Sequence, residues 1–375
     1  MAGIYLHIPF CKSRCIYCDF YTTTELSNRS IYLETLIKEI RQRKDYLDTP
    51  IETIYFGGGT PSLLSFHQLD KLFDVLSAEF DLSGVKEITM EANPDDCNRD
   101  YLVELQKTPV NRLSVGIQSF NNNQLKRLNR RHSAQQAIDA IKMSQDCGFT
   151  NISIDLIYGL PAESMADWDR DISQAISLDI QHISAYHLIY EEGTPLFRYL
   201  KEGKVSEVEE DLSVQFFDQL IYRLTEAGFE HYEISNFCKK GFRSNHNSSY
   251  WNGAHYLGCG PSAHSFDGES REWNISSLAE YMEGVNSGHR LFEKETLDIT
   301  TQYNDYIITS LRRSEGIGLK YVNKFFGEKL YQHCINSAQP HLNSHTLVLK
   351  NNNLVLTRKG LFVSDGIMSD LLFIL

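Results

Sequence analysis

The chain has 375 residues, 42% of them hydrophobic and 23% charged, enough to bury a full core and to divide into two domains. Its 36 basic and 49 acidic side chains leave a net charge of −13, which argues against a general electrostatic grip on nucleic acid or anionic lipid. No apolar run approaches the roughly 18 to 20 residues of a membrane span, and the first residues lack the charged and apolar regions of a signal peptide. No integral membrane segment and a cytoplasmic location are therefore expected.

From residue 3 to about residue 190, short β-rich runs alternate with helix-period segments, the pattern of βα units building a parallel sheet. Six strands are expected, at Ile4 to Ile8, Thr53 to Phe56, Glu87 to Glu91, Arg112 to Gln118, Ile152 to Ile157 and His182 to Leu188. Between them, Leu33, Leu36, Ile37 and Ile40, and likewise Leu69, Leu72, Phe73 and Leu76, follow the spacing of an amphipathic helix. The polar and glycine-rich residues fall just after the strands, at the edge where parallel α/β folds place their ligands. A long helix is expected from Glu207 to Leu224, then an irregular stretch from about Glu230 to Phe266. From Thr300 onward two helices precede two β-runs, Thr346 to Lys350 and Leu354 to Arg358, joined through Asn351, Asn352 and Asn353. The expected division is a barrel unit over 1–230, a linking segment over 231–299 and a helix-helix-hairpin unit over 300–375.

Chemistry concentrates first in Cys11-Lys-Ser-Arg-Cys15-Ile-Tyr-Cys18, where three soft thiolates can converge from one short loop behind the first strand. A structural zinc site wants four ligands, and no second cysteine pair closes the set. Three exposed, unligated thiols would be an oxidation liability. An iron-sulfur cubane with one open iron fits better. Cys97, Cys147, Cys238, Cys259 and Cys334 stand far apart, read as small buried residues and receive no role.

At these residues a resemblance becomes specific. Tyr5-Leu-His7-Ile-Pro-Phe-Cys11-x3-Cys15-x-Tyr17-Cys18 resembles the opening of the radical S-adenosylmethionine (radical SAM) family, in the branch holding oxygen-independent coproporphyrinogen III oxidases and HemW-type heme chaperones. The resemblance implies an α/β fold, a partial (βα)6 barrel of TIM-like type with a small C-terminal helical and β-hairpin, winged-helix-like unit. It implies a 4Fe-4S cluster on Cys11, Cys15 and Cys18, with S-adenosylmethionine chelating the fourth iron, and an electron donor for that cluster. By family position, Gly58, Gly59 and Thr60 of Gly57-Gly58-Gly59-Thr60-Pro61 contact the methionyl part of the cofactor, and Glu91, Gln118, Arg130 and Asp155 lie around it. Tyr5 and Tyr17 would add an aromatic wall with polar hydroxyls. On residue type alone each has a plainer reading. The glycines make a turn, Glu91 is a solvated rim carboxylate, Asp155 pairs with a nearby arginine, Arg130 ends a helix, and the tyrosines belong to the core.

The two readings of the branch part at Phe20, which occupies the position of a further cysteine in the oxidases, and in the substantial segment those oxidases carry before the cluster loop. In the other direction, Asn245-His246-Asn247-Ser248-Ser249-Tyr250-Trp251 resembles the His-Asn-x-x-Tyr-Trp motif of the chaperones. His246 is thereby a candidate heme ligand beside two rings suited to a flat macrocycle. The plainer reading is a hydrogen-bonding His-Asn pair in a polar loop. His7, His255 and His264 are weaker candidates, His7 serving better as a donor beside the cluster. The resemblance thus implies a heme chaperone that hands heme to apoproteins. Its alternative is radical oxidative decarboxylation of coproporphyrinogen III propionates to vinyl groups in porphyrin biosynthesis. The terminal hairpin carries Lys350, Arg358 and Lys359, but the acidic chain speaks against a nucleic-acid partner.

Overall fold

The computed structural model describes residues 2–374. Six strands, β1 (Ala2–Ile8), β2 (Ile51–Gly58), β3 (Glu87–Ala92), β4 (Arg112–Gln118), β5 (Ile152–Tyr158) and β6 (His182–His187), lie side by side in chain order and parallel. Alternate strand residues, among them Ile4, Leu6, Ile54, Phe56, Met90, Leu113, Val115, Ile154 and Ile183, pack outward with the apolar stripes of the helices Arg29–Gln42, Phe66–Glu79, Ala134–Asp146, Met165–Ser177 and Glu210–Glu226. Ser65, Ser133 and Ser164 start three of these helices with reciprocal capping boxes.

The complementary set is polar: Tyr5 and His7, Thr53 and Tyr55, Glu87 and Glu91, Arg112 and Ser114, Ser153 and Asp155, His182 and Ser184. Side chains of this set bond to one another across the lumen and to the elements closing it. Ser153 Oγ meets His182 Nδ1 at 2.7 Å, His182 Nε2 meets the Tyr232 hydroxyl at 2.7 Å, and Tyr55 donates to Glu91 at 2.7 Å.

Residues 231–299 differ from the expected linking segment, because their strands extend both edges of the sheet. β7 (Glu230–Glu233) and β8 (Asn236–Cys238) follow β6, while β9 (His255–Cys259), β10 (His264–Phe266), β11 (Ser270–Asn274) and β12 (Phe292–Thr296) continue outward from β1. Strands of three to five residues are too short to show a period, which is why this stretch reads as irregular. The open barrel thus becomes part of a 12-stranded sheet.

The C-terminal unit has its own core around Tyr303, Ile307, Val322, Leu354 and Met368. Its helices Ile299–Leu311 and Leu319–Asn343 precede the hairpin of β14 (Leu347–Lys350) and β15 (Asn353–Leu356), with Asn351 and Asn352 at φ 52° and 65° in the turn. A two-residue strand, β13 (Ile317–Gly318), pairs with β15. The second β-run stops at Leu356, because the Thr357 hydroxyl accepts from Gly360 N at 3.1 Å and starts a further helix.

One buried ionic cluster joins the added strands to the barrel. Glu39 is 0% exposed and accepts from Gly260 N (2.8 Å), the Tyr281 hydroxyl (2.6 Å) and Asn274 Nδ2 (2.7 Å), beside Arg43, which also pairs with Glu272. Removing one member of such a cluster leaves the rest buried without compensation. Glu39→Ala is expected to destabilise the fold by about 3–5 kcal/mol, measured by urea denaturation. A loss below 1 kcal/mol would show that the cluster does not hold β9 to β12 in place.

Candidate functional site

The cysteine loop leaves β1 at the C-terminal rim and is pinned from several sides. Cys11 N donates to Thr23 O (2.9 Å), Ile16 N to Leu128 O (3.3 Å), Leu196 N to Ile16 O (2.9 Å), and Asn129 Nδ2 to Arg14 O (2.8 Å). Asp96 draws three segments together. It accepts from Lys12 Nζ at 2.6 Å, Ser62 Oγ at 3.1 Å and Arg131 Nη2 at 3.3 Å. His7 Nε2 donates to Tyr21 O at 2.9 Å and fixes the chain as it leaves the loop.

A hydrogen-bonded relay crosses the rim towards the sulfurs. Arg130 reaches Gly116 O, Asn93 Oδ1 (2.7 Å) and Cys15 Sγ (3.3 Å); Asn93 Nδ2 donates to Thr60 Oγ1 (3.0 Å), whose hydroxyl points to Cys11 Sγ (3.5 Å). A Cβ on Gly59 would lie 2.8 Å from Pro9 C, so only glycine lets this loop lie against the start of the cysteine loop. Gly58, at φ 106°, turns its N–H to Glu91 Oε2 at 3.2 Å.

Together these residues line a cavity of about 440 Å³. Cys11, Cys15, Cys18, Tyr17, Gly58, Gly59, Thr60, Glu91, Gln118, Arg130 and Asp155 all face it. Burial raises the Cys11 thiol, against the Thr60 hydroxyl that favours its thiolate, and pushes Cys18 up to about 11. Metal binding at these thiols therefore releases protons. The three sulfurs do not converge on one point: among the described residues no three His, Cys, Asp or Glu side chains are grouped to hold a single ion. Separate thiols with Arg130 and Thr60 donating to two of them fit a cluster that spreads its ligands over several irons.

The opposite wall is acidic. Glu91 is raised to about 7, chiefly by burial, opposed by the Tyr55 hydroxyl and reinforced by Asp155. Asp155 is raised to about 6 by burial, opposed by the Ser184 hydroxyl and by Arg112 and Arg130. Two carboxylates below the rim and Arg130 beside the cysteines suit a zwitterionic ligand that carries a cationic centre.

Tyr5 and His246 do not face this space. They line an adjoining cavity of about 460 Å³, with Phe20, Tyr55, Tyr186, Tyr250, Trp251, Glu233 and Arg312 around it. Phe20, Tyr55, Gly58, Glu91, Tyr186 and Asn247 border both spaces. Phe20 is 64% exposed at this junction. The segment expected as a polar loop is the short helix Asn245–Trp251. Ser244 Oγ accepts from Asn247 N (3.3 Å), and Glu87 accepts from Asn245 N (2.8 Å) and His246 N (2.9 Å). His246 is 1% exposed and stacks on Tyr55 with centroids 4.8 Å apart. Its Nδ1 meets Thr53 Oγ1 at 2.8 Å and its Nε2 the Tyr250 hydroxyl at 2.9 Å, so in this conformation neither nitrogen is open. Burial and Arg112 lower its pKa to about 3, leaving a neutral ring.

Tyr55, Asn93, Ser114, Ser184, Tyr186 and Arg312 were not among the residues expected at the site. The signal for most of them is in the sequence, since a polar residue recurs at every second position within otherwise apolar strands. Arg312 carries no such signal.

A (βα)6 half-barrel with three cysteines on its first rim loop defines the class. The Radical SAM superfamily model matches residues 5–175. The chain is 33% identical to "Heme chaperone HemW" of Lactococcus lactis over 98% of its own length and 96% of the relative's, and 34% identical to that of Mycobacterium tuberculosis over 99% and 94%. The solved coproporphyrinogen III oxidase HemN of Escherichia coli, described as a radical SAM enzyme, superposes with a TM-score of 0.87 over 100% of this chain and 90% of its own, at 21% identity, and so shares the fold. This chain belongs to the radical SAM superfamily and, within it, to the family of the HemW proteins. Membership implies S-adenosylmethionine and a 4Fe-4S cluster as cofactors.

The raised carboxyl of Glu91 makes stability depend on pH. The folded state holds its proton to about 7 against an ordinary value of 4.5, so the contribution is complete below 4.5 and lost as pH rises through 7. Wild type is expected to lose stability relative to Glu91→Gln between pH 4.5 and 7, with a constant gap above. Parallel curves of denaturation midpoint against pH for the two ligand-free proteins would contradict the assignment.

Proposed function

We propose that this protein is a cytoplasmic heme chaperone, which binds heme and transfers it to apoproteins from a radical SAM scaffold. The observation that carries the reading is the second cavity opening beside the cofactor cavity, lined by the aromatic residues Tyr5, Phe20, Tyr55, Tyr186, Tyr250 and Trp251. Relatives named heme chaperones that match nearly the whole length support it. Phe20 at the junction supports it too, since it offers an apolar ring where the oxidases of the branch carry a cysteine.

On this reading Cys11, Cys15 and Cys18 hold the cluster, and Gly58, Gly59, Thr60, Glu91, Gln118, Arg130 and Asp155, with Tyr17 at the wall, hold S-adenosylmethionine. When bound, the pair supplies one-electron reduction of the sulfonium. The chain's own contribution is placement. Arg130 and Thr60 donate to sulfur, the glycine loop lines the cavity without side chains, and the Glu91 and Asp155 carboxylates would face the cationic centre. Tyr5 stands in the second cavity with His246, stacked near Tyr55 with centroids 6.1 Å apart.

His246 would ligate heme iron through Nε2. With its proton on Nδ1 and donated to Thr53, Nε2 keeps a lone pair that the Tyr250 hydroxyl covers. Ligation requires that hydroxyl to swing aside.

Two outcomes are expected. Cys15→Ala removes most of the brown charge-transfer absorbance of the reconstituted protein, and retention of full iron and sulfide in that variant would contradict the ligand set. In an anaerobic heme titration followed at the Soret band, the cluster-containing protein binds heme stoichiometrically, and His246→Ala weakens or spectrally alters the complex. Heme uptake no better than nonspecific by both proteins would remove the carrier reading. Oxygen-free formation of a vinyl product from coproporphyrinogen III would favour the oxidase instead.

A further inference from the structure

The second cavity contains one charged arrangement that the cofactor site does not use. Arg312 follows the helix Ile299–Leu311 and is supplied by the C-terminal unit. Its Nε donates to Glu233 Oε1 at 3.2 Å, Nη2 stands 3.1 Å from the same oxygen, and its guanidinium carbon lies 4.9 Å from the centre of the Trp251 ring. Glu233 is in turn fixed by Ser235 N (3.1 Å) and Asn236 Nδ2 on its other oxygen. The main chain locks the same junction, with Ile234 N donating to Arg312 O at 3.1 Å and Ser314 N to Tyr232 O at 3.1 Å.

This arrangement orients the guanidinium without exhausting it. An arginine has five N–H donors in a planar fork. Here one edge faces Glu233, one face lies near indole, and Nη1 has no protein partner among the described residues. The side chain is 27% exposed. Among the described residues lining this cavity Arg312 is the only arginine or lysine, and His246 is neutral. An anionic group entering among the aromatic rings therefore has a single cationic partner, held in place beforehand by Glu233 and partly dehydrated.

We infer that Arg312 is the carboxylate anchor of the second cavity, gripping a propionate of heme while the macrocycle lies among the aromatic rings. The inference rests on the heme reading above and adds the orientation of the ligand: its carboxylate edge faces the C-terminal unit. The cavity is accordingly incomplete without residues 300–375, and the barrel alone would present the rings without the cation.

The test compares heme with heme dimethyl ester, in which both carboxylates are masked, on the cluster-containing full chain. Wild type should bind heme about tenfold more tightly than the ester, a difference of roughly 1.4 kcal/mol. Arg312→Gln should reduce heme affinity about tenfold while changing ester affinity less than twofold, and Arg312→Lys should recover part of the loss. Equal losses for heme and ester would assign Arg312 to the cavity wall and overturn the anchor. So would a wild type that does not distinguish the two ligands, a readout that needs no variant to fold. Heme binding intact in Arg312→Gln overturns the anchor and leaves the chaperone reading standing. Absence of saturable heme binding by wild type removes both.

Discussion

Every strand of the half-barrel carries apolar side chains on the face under the helices and polar ones on the face turned inward. Parallel sheets covered on both faces ordinarily fill both with hydrocarbon. Here the inner face holds Glu87, Asp155, His182 and Glu91, and such groups are tolerated away from water only when their hydrogen bonds are made. The bonding across the lumen is therefore the constraint on which the rest depends. Glu87 spends its carboxylate on the start of the helix Asn245–Trp251, Thr53 fixes the His246 ring, and Tyr232 closes the network from the added strand β7. The barrel floor and the wall of the second cavity are thus one bonded system, and the helix that carries the His-Asn motif is placed by a residue of β3.

The same economy explains the electrostatics of the rim. Glu91 and Asp155 are held where burial resists their ionisation, while Arg130 is directed at sulfur and backbone oxygen and leaves the two acids without full neutralisation. A site poised in this way is less stable empty than filled by a cation, and binding energy is released where the protein has withheld a counter-charge. The thiols show the converse. Cys18 is costly to ionise alone, so the cluster loop is stable as a protonated loop until metal displaces the protons.

Much of this was legible beforehand. The apolar runs at Ile4 to Ile8 and Ile152 to Ile157 mark buried parallel strands by composition, and the cysteine spacing marks ligands because no bridge framework looks like it. The hairpin at Asn351 and Asn352 was legible because asparagine tolerates the left-handed backbone found there. The strands β7 to β12 were hidden by their length, and the helix Asn245–Trp251 by its polarity, since its position comes from a Ser244 cap and a distant carboxylate rather than from an apolar stripe. The covering of both His246 nitrogens could not be read either, because its partners Thr53 and Tyr250 are brought together only by folding. Arg312 was out of reach for the same reason, lying in a different unit from Glu233.

A sheet that does not close into a barrel has two free margins, and they are treated differently. At the β7 margin, Glu233 and Arg313 form a bridge that brings the C-terminal unit against the strand. At the other margin β12 reads Phe292-Glu-Lys-Glu-Thr296 with every residue exposed. Adding another chain's strand there would set charges of like sign against one another and strip water from them, so self-association along this margin is disfavoured. The charged margin thus keeps copies of the chain apart by its own residues, with no contribution from any ligand.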